Sequence, residues 1–157
     1  MMMKFTKAGI LALAAIIGLG VSTVQAGTAK NGYNKQKVVY HINDINAATG
    51  ALRNVKNHLN ALGDENADII VVTHSSGAFA LVDGAMGKKN PKTGKVYDFR
   101  DMIAGLANRG VKFQICANTI RGKKIDKHKI DEHAEIVPSG VAQIVDLEQK
   151  GYLYVKP

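Results

Sequence analysis

The sequence predicts an α/β protein, a three-layer sandwich around a mainly parallel five-stranded sheet. Short runs rich in valine and isoleucine alternate along the chain with segments whose apolar residues recur every three or four positions. The run Ala67–Thr73 is apolar without interruption from Ile69, as expected for a parallel strand that is buried on both faces. Residues 27–157 have the length of one domain with one core.

The N-terminus has the layout of a secretory signal peptide. Lys4 and Lys7 precede an apolar run, Ala8–Gly20, that is shorter than the roughly 20 residues of a membrane span. The small residues of Val24–Ala26 predict cleavage after Ala26. We therefore expect a periplasmic or secreted protein with no membrane span after cleavage, and an uncleaved N-terminal anchor is the alternative.

The remaining elements follow from apolar periodicity and from glycine or proline at their ends. The predicted strands are Lys37–Ile42, Ala67–Thr73, Val111–Cys116, Ala134–Val137 and Tyr152–Val155. Between them we predict a helix with Ala48, Ala51, Leu52, Val55, Leu59 and Leu62 inward that Gly63 ends, a short helix within Ser75–Asp83, a loop Gly84–Asp98, and a helix carrying Phe99, Met102, Ile103, Leu106 and Ala107. A short helix Asn118–Lys124 follows the third strand, and a helix opened by Pro138, Ser139 and Gly140, with Val141, Ala142, Ile144 and Val145 inward, follows the fourth.

The formal charge of the chain is +8, and Lys4 and Lys7 supply two of these charges, which leaves +6 for residues 27–157. Positive charge favours anionic partners. Export argues against nucleic acid, and the chain lacks a basic amphipathic helix of the kind that lies on membranes. Small anions remain, with a basic surface that binds nothing as the alternative.

Ligands of parallel α/β sheets bind beyond the carboxyl ends of the strands. Polar residues and glycines occupy those ends at all of the first four predicted strands: His41, Asn43 and Asp44; His74, Ser75, Ser76 and Gly77; Cys116 and Asn118; Ser139 and Gly140.

Cys116 is the one cysteine in the chain, at the end of a predicted strand and just before a helix. A helix N-terminus favours a thiolate, which is the nucleophilic form of the side chain. Basic residues follow it, namely Arg121, Lys123, Lys124, Lys127 and Lys129, and these either attract anions or form a solvated surface. The alternatives for Cys116 are a buried apolar residue and an intermolecular disulfide.

Among the histidines, His74 is placed best for acid–base chemistry, and His41 is a weaker candidate because it can still lie within its strand. We expect His58 to be structural. The histidines, cysteine and carboxylates show no metal-ligand spacing, and neither a phosphate-binding loop nor a dinucleotide fingerprint is present. The sequence therefore predicts no metal and no cofactor.

The segment Gly110–Gly122 around Cys116 resembles the cysteine segment of the DsrE/DsrF-like family. The closing run from Val137-Pro138-Ser139-Gly140-Val141 to Gly151-Tyr152 resembles that family's last helix and strand. The resemblance implies a compact α/β fold, homo-oligomers such as trimers or hexamers, and a role for Cys116 as an acceptor that carries sulfur as a persulfide between proteins.

Two hypotheses of function follow. In the first, the protein is an exported sulfur carrier or sulfurtransferase-like protein whose partner is an anionic sulfur compound or a sulfur-donor or sulfur-acceptor protein. In the second, it is a non-catalytic anion-binding or assembly protein in which Cys116 is structural. For the first, the predicted catalytic residues are Cys116 and His74, and the predicted ligand-binding residues are Asn43, Ser75, Ser76, Gly77, Asn118 and Arg121.

Overall fold

The computed structural model describes residues 31–157. The predicted signal segment, residues 1–26, lies outside them. The helices and strands are β1 (Gln36–Ile42), α1 (Ile45–Leu62), β2 (Ala67–Thr73), α2 (Arg100–Ala107), β3 (Lys112–Cys116), α3 (Ala117–Gly122), β4 (Ala134–Val137), α4 (Gly140–Gln149) and β5 (Leu153–Val155), with 3₁₀ turns at Asp64–Asn66, Ser75–Leu81, Asp83–Gly87 and Lys127–Lys129.

All five strands form one parallel sheet in the order β4-β3-β2-β1-β5. The α/β prediction is confirmed, and the predicted strands agree with the observed ones to within one residue at each end. The loop predicted over Gly84–Asp98 contains the 3₁₀ turn at its start and a single antiparallel bridge between Lys89 and Val96.

The two faces of the sheet are covered unequally. One face, here called the front, packs against α1, α2, α3 and the 3₁₀ turn after β2, and holds the larger apolar cluster. The other face, the back, packs against α4, and its apolar cluster is much smaller: Val39, Ile70, Val72, Ile144, Leu147 and Tyr152. The sheet therefore separates a large core from a thin layer made by one helix.

Local sequence accounts for the ends of the two helices that matter most for the site. The Asp44 carboxylate accepts a hydrogen bond from the Asn46 N–H and so caps α1. Gly63 ends that helix with a φ of 86°, a backbone conformation that glycine adopts without strain. The Ser139 hydroxyl caps α4 by accepting a hydrogen bond from the Ala142 N–H.

The inward face predicted for the last helix is wrong at three positions. Val141 and Val145 are 62% and 49% exposed, and Ala142 is exposed as well, whereas Ile144 and Leu147 are buried against the back of the sheet. A helix that covers a sheet alone buries only one stripe of its surface. Neighbouring apolar residues on α4 consequently face outward.

The connections of β3 and β4 leave the sheet in opposite directions. The chain passes from β3 into α3 on the front face and from β4 into α4 on the back face. Where neighbouring strands diverge in this way, the carboxyl edge of the sheet opens between them. Cys116 at the end of β3 and Gly140 at the start of α4 lie at this division.

None of the helices within residues 31–157 combines the length and apolarity that crossing a membrane requires.

Candidate functional site

Cys116 faces the back of the sheet at its carboxyl edge. Phe113 and Ile115 belong to the front core, so the alternation of side chains along β3 directs Gln114 and Cys116 to the opposite face. The cysteine is also the residue that precedes α3, as predicted. Its side chain is unpaired within the described residues and only 5% exposed.

Four donors surround the Cys116 sulfur. They are the backbone N–H groups of Asn118, Thr119 and Gly140 and the hydroxyl of Thr119. Burial raises the pKa of the Cys116 thiol, but these donors together outweigh burial, and the net pKa lies below that of an ordinary thiol. The Cys116 side chain makes no capping hydrogen bond to the first turn of α3. The donors therefore stabilise the thiolate mainly as nearby dipoles.

The Thr119 hydroxyl links the cysteine to the end of β2. Its oxygen accepts a hydrogen bond of 3.1 Å from the Ser75 N–H, which leaves its proton free to point at the sulfur. Ser75 has a φ of 52°, a left-handed conformation that costs free energy for a residue other than glycine. This conformation turns its N–H group toward α3.

Gly140 brings Cys116 and His74 together. A Cβ atom at position 140 would lie 3.3 Å from Cys116 Cβ and 3.2 Å from His74 Cβ, closer than most real contacts. The absence of a side chain therefore lets the start of α4 pack against both residues and present its N–H group to the sulfur. The two residues predicted to be catalytic, Cys116 and His74, thus lie on either side of one glycine.

His74 belongs to a chain of hydrogen bonds along the carboxyl edge. Its Nε2 lies 2.6 Å from His41 Nε2, and its Nδ1 lies 3.0 Å from Ser75 Oγ. His41 Nδ1 in turn lies 2.7 Å from the Tyr154 hydroxyl. His41, which the sequence predicted as the weaker acid–base candidate, therefore contacts His74 directly, although it lies within β1.

Both imidazoles are held in the neutral form. Burial, the neighbouring His74 and the charge of Lys156 lower the pKa of His41 to about 4. Burial and Lys156 also lower the pKa of His74. At neutral pH each ring therefore has one nitrogen that donates and one that accepts.

Three of the predicted ligand-binding residues lie around the start of α1. The Ser76 hydroxyl contacts the Ile45 N–H at 3.3 Å and the Asn43 carbonyl oxygen at 3.4 Å. Gly77 is packed so tightly that a Cβ atom there would lie 2.2 Å from the Ile42 carbonyl oxygen. Their contacts hold β2 against β1, and their predicted role in ligand binding stays a prediction.

Asn118 and Arg121 lie on α3 beside the cysteine. The Arg121 guanidinium donates a hydrogen bond to the Asn118 side-chain oxygen, and both side chains are exposed. The basic run after Cys116 does not contribute to the lowered thiol pKa, which comes from N–H and O–H dipoles. Residues 31–157 bring no three His, Cys, Asp or Glu side chains together in the manner of a metal site.

The structure adds three residues that sequence reasoning did not place at this edge: Thr119, Tyr154 and Lys156. It also places Gly140, predicted only as one of the strand-end residues, directly beside Cys116 and His74. Thr119 could have been found, since it stands three residues after a strand-end cysteine. Tyr154 and Lys156 carry no such signal, because only the strand order places β5 beside β1.

His58 lies away from the candidate site and makes contacts of the kind expected for a structural histidine. Its ring lies on the front side of the sheet, with Nδ1 3.0 Å from the Tyr40 hydroxyl and Nε2 2.7 Å from Gln36 Oε1. The cavity of about 750 Å³ between α1 and α2, lined by residues such as Arg53, Met102 and Arg109, also lies on the front side, across the sheet from Cys116.

Comparison with known proteins identifies the family and the fold of the chain. The model of the DsrE/DsrF-like family matches residues 21–157. The chain belongs to this family. Among solved structures, it is similar to MTH1491 of Methanobacterium thermoautotrophicum, a protein of unknown function, at 27% identity and a TM-score of 0.63, covering 78% of this chain and 99% of that one.

It also shares its fold with the ychN protein of E. coli, at 17% identity and a TM-score of 0.59, with the same coverage of both chains. No curated protein matches the chain.

Proposed function

We propose that this member of the DsrE/DsrF-like family is a sulfur carrier in which Cys116 accepts sulfane sulfur as a persulfide. The family is generally one of sulfur relay. The observation that carries the proposal is the set of four donors directed at one sulfur atom, which lowers its pKa although the side chain is buried. A cysteine that served only to pack would gain nothing from a stabilised thiolate.

The reaction with thiosulfate illustrates the chemistry. The Cys116 thiolate attacks the outer sulfur of thiosulfate, and a bond forms between Sγ and that sulfur. The sulfur–sulfur bond within thiosulfate breaks, and sulfite leaves with the electron pair. The persulfide anion that remains on Cys116 takes the place of the thiolate among the same donors, and His74 transfers protons to and from the sulfur species.

The surroundings of Cys116 suit an anionic donor. The chain has a surplus of positive charge, and Lys156 and Arg121 lie near the site. Asn43, Ser75, Ser76, Gly77, Asn118 and Arg121 remain the residues predicted to bind the donor. Because Cys116 is nearly buried, a small anion with a terminal sulfur, such as thiosulfate or a polysulfide, suits it better than a bulky compound.

Intact-mass measurement after incubation with thiosulfate or polysulfide tests the proposal. We expect the mass of the protein to rise by that of sulfur, the gain to disappear with dithiothreitol, and a Cys116→Ser variant to gain nothing. No added sulfur on a thiol that alkylates readily in the folded protein would contradict the proposal.

The rival function, a non-catalytic anion-binding or assembly protein, draws support from the small exposed fraction of Cys116. In that case iodoacetamide should label Cys116 only after denaturation. Labelling of the folded protein at a rate that rises with pH, with a midpoint below that of a free thiol, would instead favour the sulfur carrier.

We further propose that the protein acts outside the cytoplasm and as a homo-oligomer, a trimer or a hexamer. The first proposal is supported by the signal-like N-terminus, and the second by the exposed valines Val141 and Val145 on α4. Cell fractionation with N-terminal sequencing should find a chain that begins at Gly27 in the exported fraction. Light scattering should give three or six times the mass of one chain, and a monomer would refute the second proposal.

A further inference from the structure

Four side chains form a continuous hydrogen-bonded row that ends beside the cysteine. The row runs from the Tyr154 hydroxyl through His41 and His74 to the Ser75 hydroxyl, with distances of 2.7, 2.6 and 3.0 Å between successive atoms. Tyr154 is 43% exposed, so one end of the row meets solvent. At the other end, the backbone N–H of Ser75 donates to the Thr119 hydroxyl, and His74 adjoins Gly140, which also lies against Cys116.

The parallel register places these side chains on one diagonal of the back face. Tyr154 is level with Val39, two residues before His41 on β1. His41 is level with Val72, two residues before His74. Side chains two residues apart on a strand share a face, so Tyr154, His41 and His74 all point to the back. Each step from one of them to the next crosses to the neighbouring strand and moves two residues toward the carboxyl edge. The diagonal ends level with Cys116, because Thr73 pairs with Ile115.

The row allows two arrangements of its protons. In one, Tyr154 donates to His41, which donates to His74, which donates to Ser75. In the other, every hydrogen bond is reversed. The short distance between the two Nε2 atoms requires that one of them carries a proton and the other does not. Passing from one arrangement to the other shifts a proton along each link without charging either ring.

We infer that His41 and Tyr154 are positioning residues that fix the orientation of His74 and exchange its proton with solvent when Cys116 persulfide passes its sulfur to a thiol acceptor. This inference rests on the proposed function. It goes beyond that function because it assigns the proton of a thiol acceptor to the row and gives His41 and Tyr154 a part in moving it.

Transfer to a thiol moves one proton, and the row offers a path for that proton. The acceptor thiol gives its proton to the row, and the terminal sulfur of the persulfide receives one from it. The acceptor thiolate then attacks that terminal sulfur, a new sulfur–sulfur bond forms, and the bond to Sγ breaks. Sγ keeps the electron pair and returns to the thiolate among its four donors. One thiol and one persulfide anion thus become one acceptor persulfide and one thiolate.

The groups around the row keep it neutral. Lys156 approaches both rings from the end of β5, Tyr154 lies on β5 itself, Cys116 faces His74 from β3, and on α4 the neighbour is the uncharged Gly140. Since the pKa values of both imidazoles are lowered, the row carries no standing positive charge at neutral pH. It can therefore pass a proton on without holding it.

The test starts from protein that is already loaded with sulfur on Cys116 and follows transfer to L-cysteine from about pH 6.5 to about pH 9. We expect His41→Gln and Tyr154→Phe to slow transfer about tenfold at the lower pH, where the acceptor is protonated. The loss should vanish at the higher pH, where L-cysteine is largely ionised. Transfer to sulfite, which brings no thiol proton, should change less than about twofold in either variant.

His58→Gln is the matched control, since His58 also contacts a tyrosine hydroxyl and is half-buried, but on the front side. It should transfer like the unchanged protein at every pH. Wild-type rates for His41→Gln and Tyr154→Phe across the whole range would overturn the inference, as would an equal loss for thiol and sulfite acceptors at all pH values. A wild-type protein that takes up no sulfur at all would instead remove the proposed function, and the inference with it.

Discussion

The front and back faces of the sheet differ in what they bury. The front face buries apolar side chains under α1, α2 and α3, and its histidine, His58, is paired with Tyr40 and Gln36. The back face has α4 alone, and its carboxyl end carries Cys116 and the His41–His74 pair. The larger apolar core lies on one face and the groups of the candidate site on the other, so the two can be changed separately.

Ile115 and Cys116 provide the sharpest test of that separation, because they are neighbours on β3 that face opposite sides. Cys116→Ser should abolish sulfur loading and leave the free energy of unfolding within about 1 kcal/mol of its original value. Ile115→Ala should do the reverse, since it removes a fully buried side chain and costs about 2–5 kcal/mol.

Urea unfolding and intact-mass measurement report the two effects. If Ile115→Ala fails to fold, Ile115→Val, at about 1 kcal/mol, serves instead. A large loss of thiol reactivity in a folded Ile115 variant would show that the two faces are coupled.

Gly140→Ala should damage the site on the back face more than it damages the fold. The new methyl group would crowd Cys116 and His74 and move the Gly140 N–H away from the sulfur. We expect alkylation of Cys116 at neutral pH to slow about tenfold, because the loss of this donor raises the thiol pKa and leaves less thiolate.

Gly105→Ala is the control on the front layer, because a Cβ atom at that position in α2 would meet nothing within 4 Å. It should leave alkylation unchanged and stabilise the helix by about 0.5–1 kcal/mol. Equal effects of the two substitutions on alkylation would remove the special role of Gly140.

Thr119→Val should raise the thiol pKa by a smaller amount, since it removes one of four donors and keeps the shape of the side chain. If the hydrogen bond from this hydroxyl stabilises the thiolate by about 1 kcal/mol, its loss should make alkylation about three- to tenfold slower at neutral pH. Thr119→Ser keeps the hydroxyl and should react like the unchanged protein. Similar pH profiles for the valine and serine variants would exclude the hydroxyl as a donor.

The smallest expected effect is the dependence of stability on pH. The pKa of His41 is about 4 in the folded protein and about 6.5 in an unfolded chain, so between these values the unfolded chain binds a proton that the folded protein does not. The folded protein should lose stability as the pH falls from about 6.5 to about 4, by a modest amount because the ring is only partly buried.

In His41→Gln this part of the pH dependence should be weaker, as urea unfolding at several pH values would show. The same loss of stability in the variant and the unchanged protein would mean that other groups cause it.

Sequence reasoning reached the fold because the fold depends on local pattern. The apolar runs of β1 and β2 and the three-and-four spacing in α1 predicted the observed elements, and Gly63 marked where α1 ends. It failed on α4, where Val141 and Val145 are as apolar as Ile144 but face outward. The hydrophobic pattern predicts that a helix has a buried stripe, but the number of helices and strands that pack against it decides how wide that stripe is.

The sequence by itself determined which chemical groups end the strands, and it singled out Cys116 and His74 because side chains at the carboxyl ends of parallel strands share one edge. Only the tertiary structure decided that Gly140 lies between these two residues and that β5 lies next to β1, with Tyr154 beside His41. Strand order and helix packing are set by contacts between residues far apart in the chain, and a lowered thiol pKa depends on where those contacts place N–H and O–H dipoles.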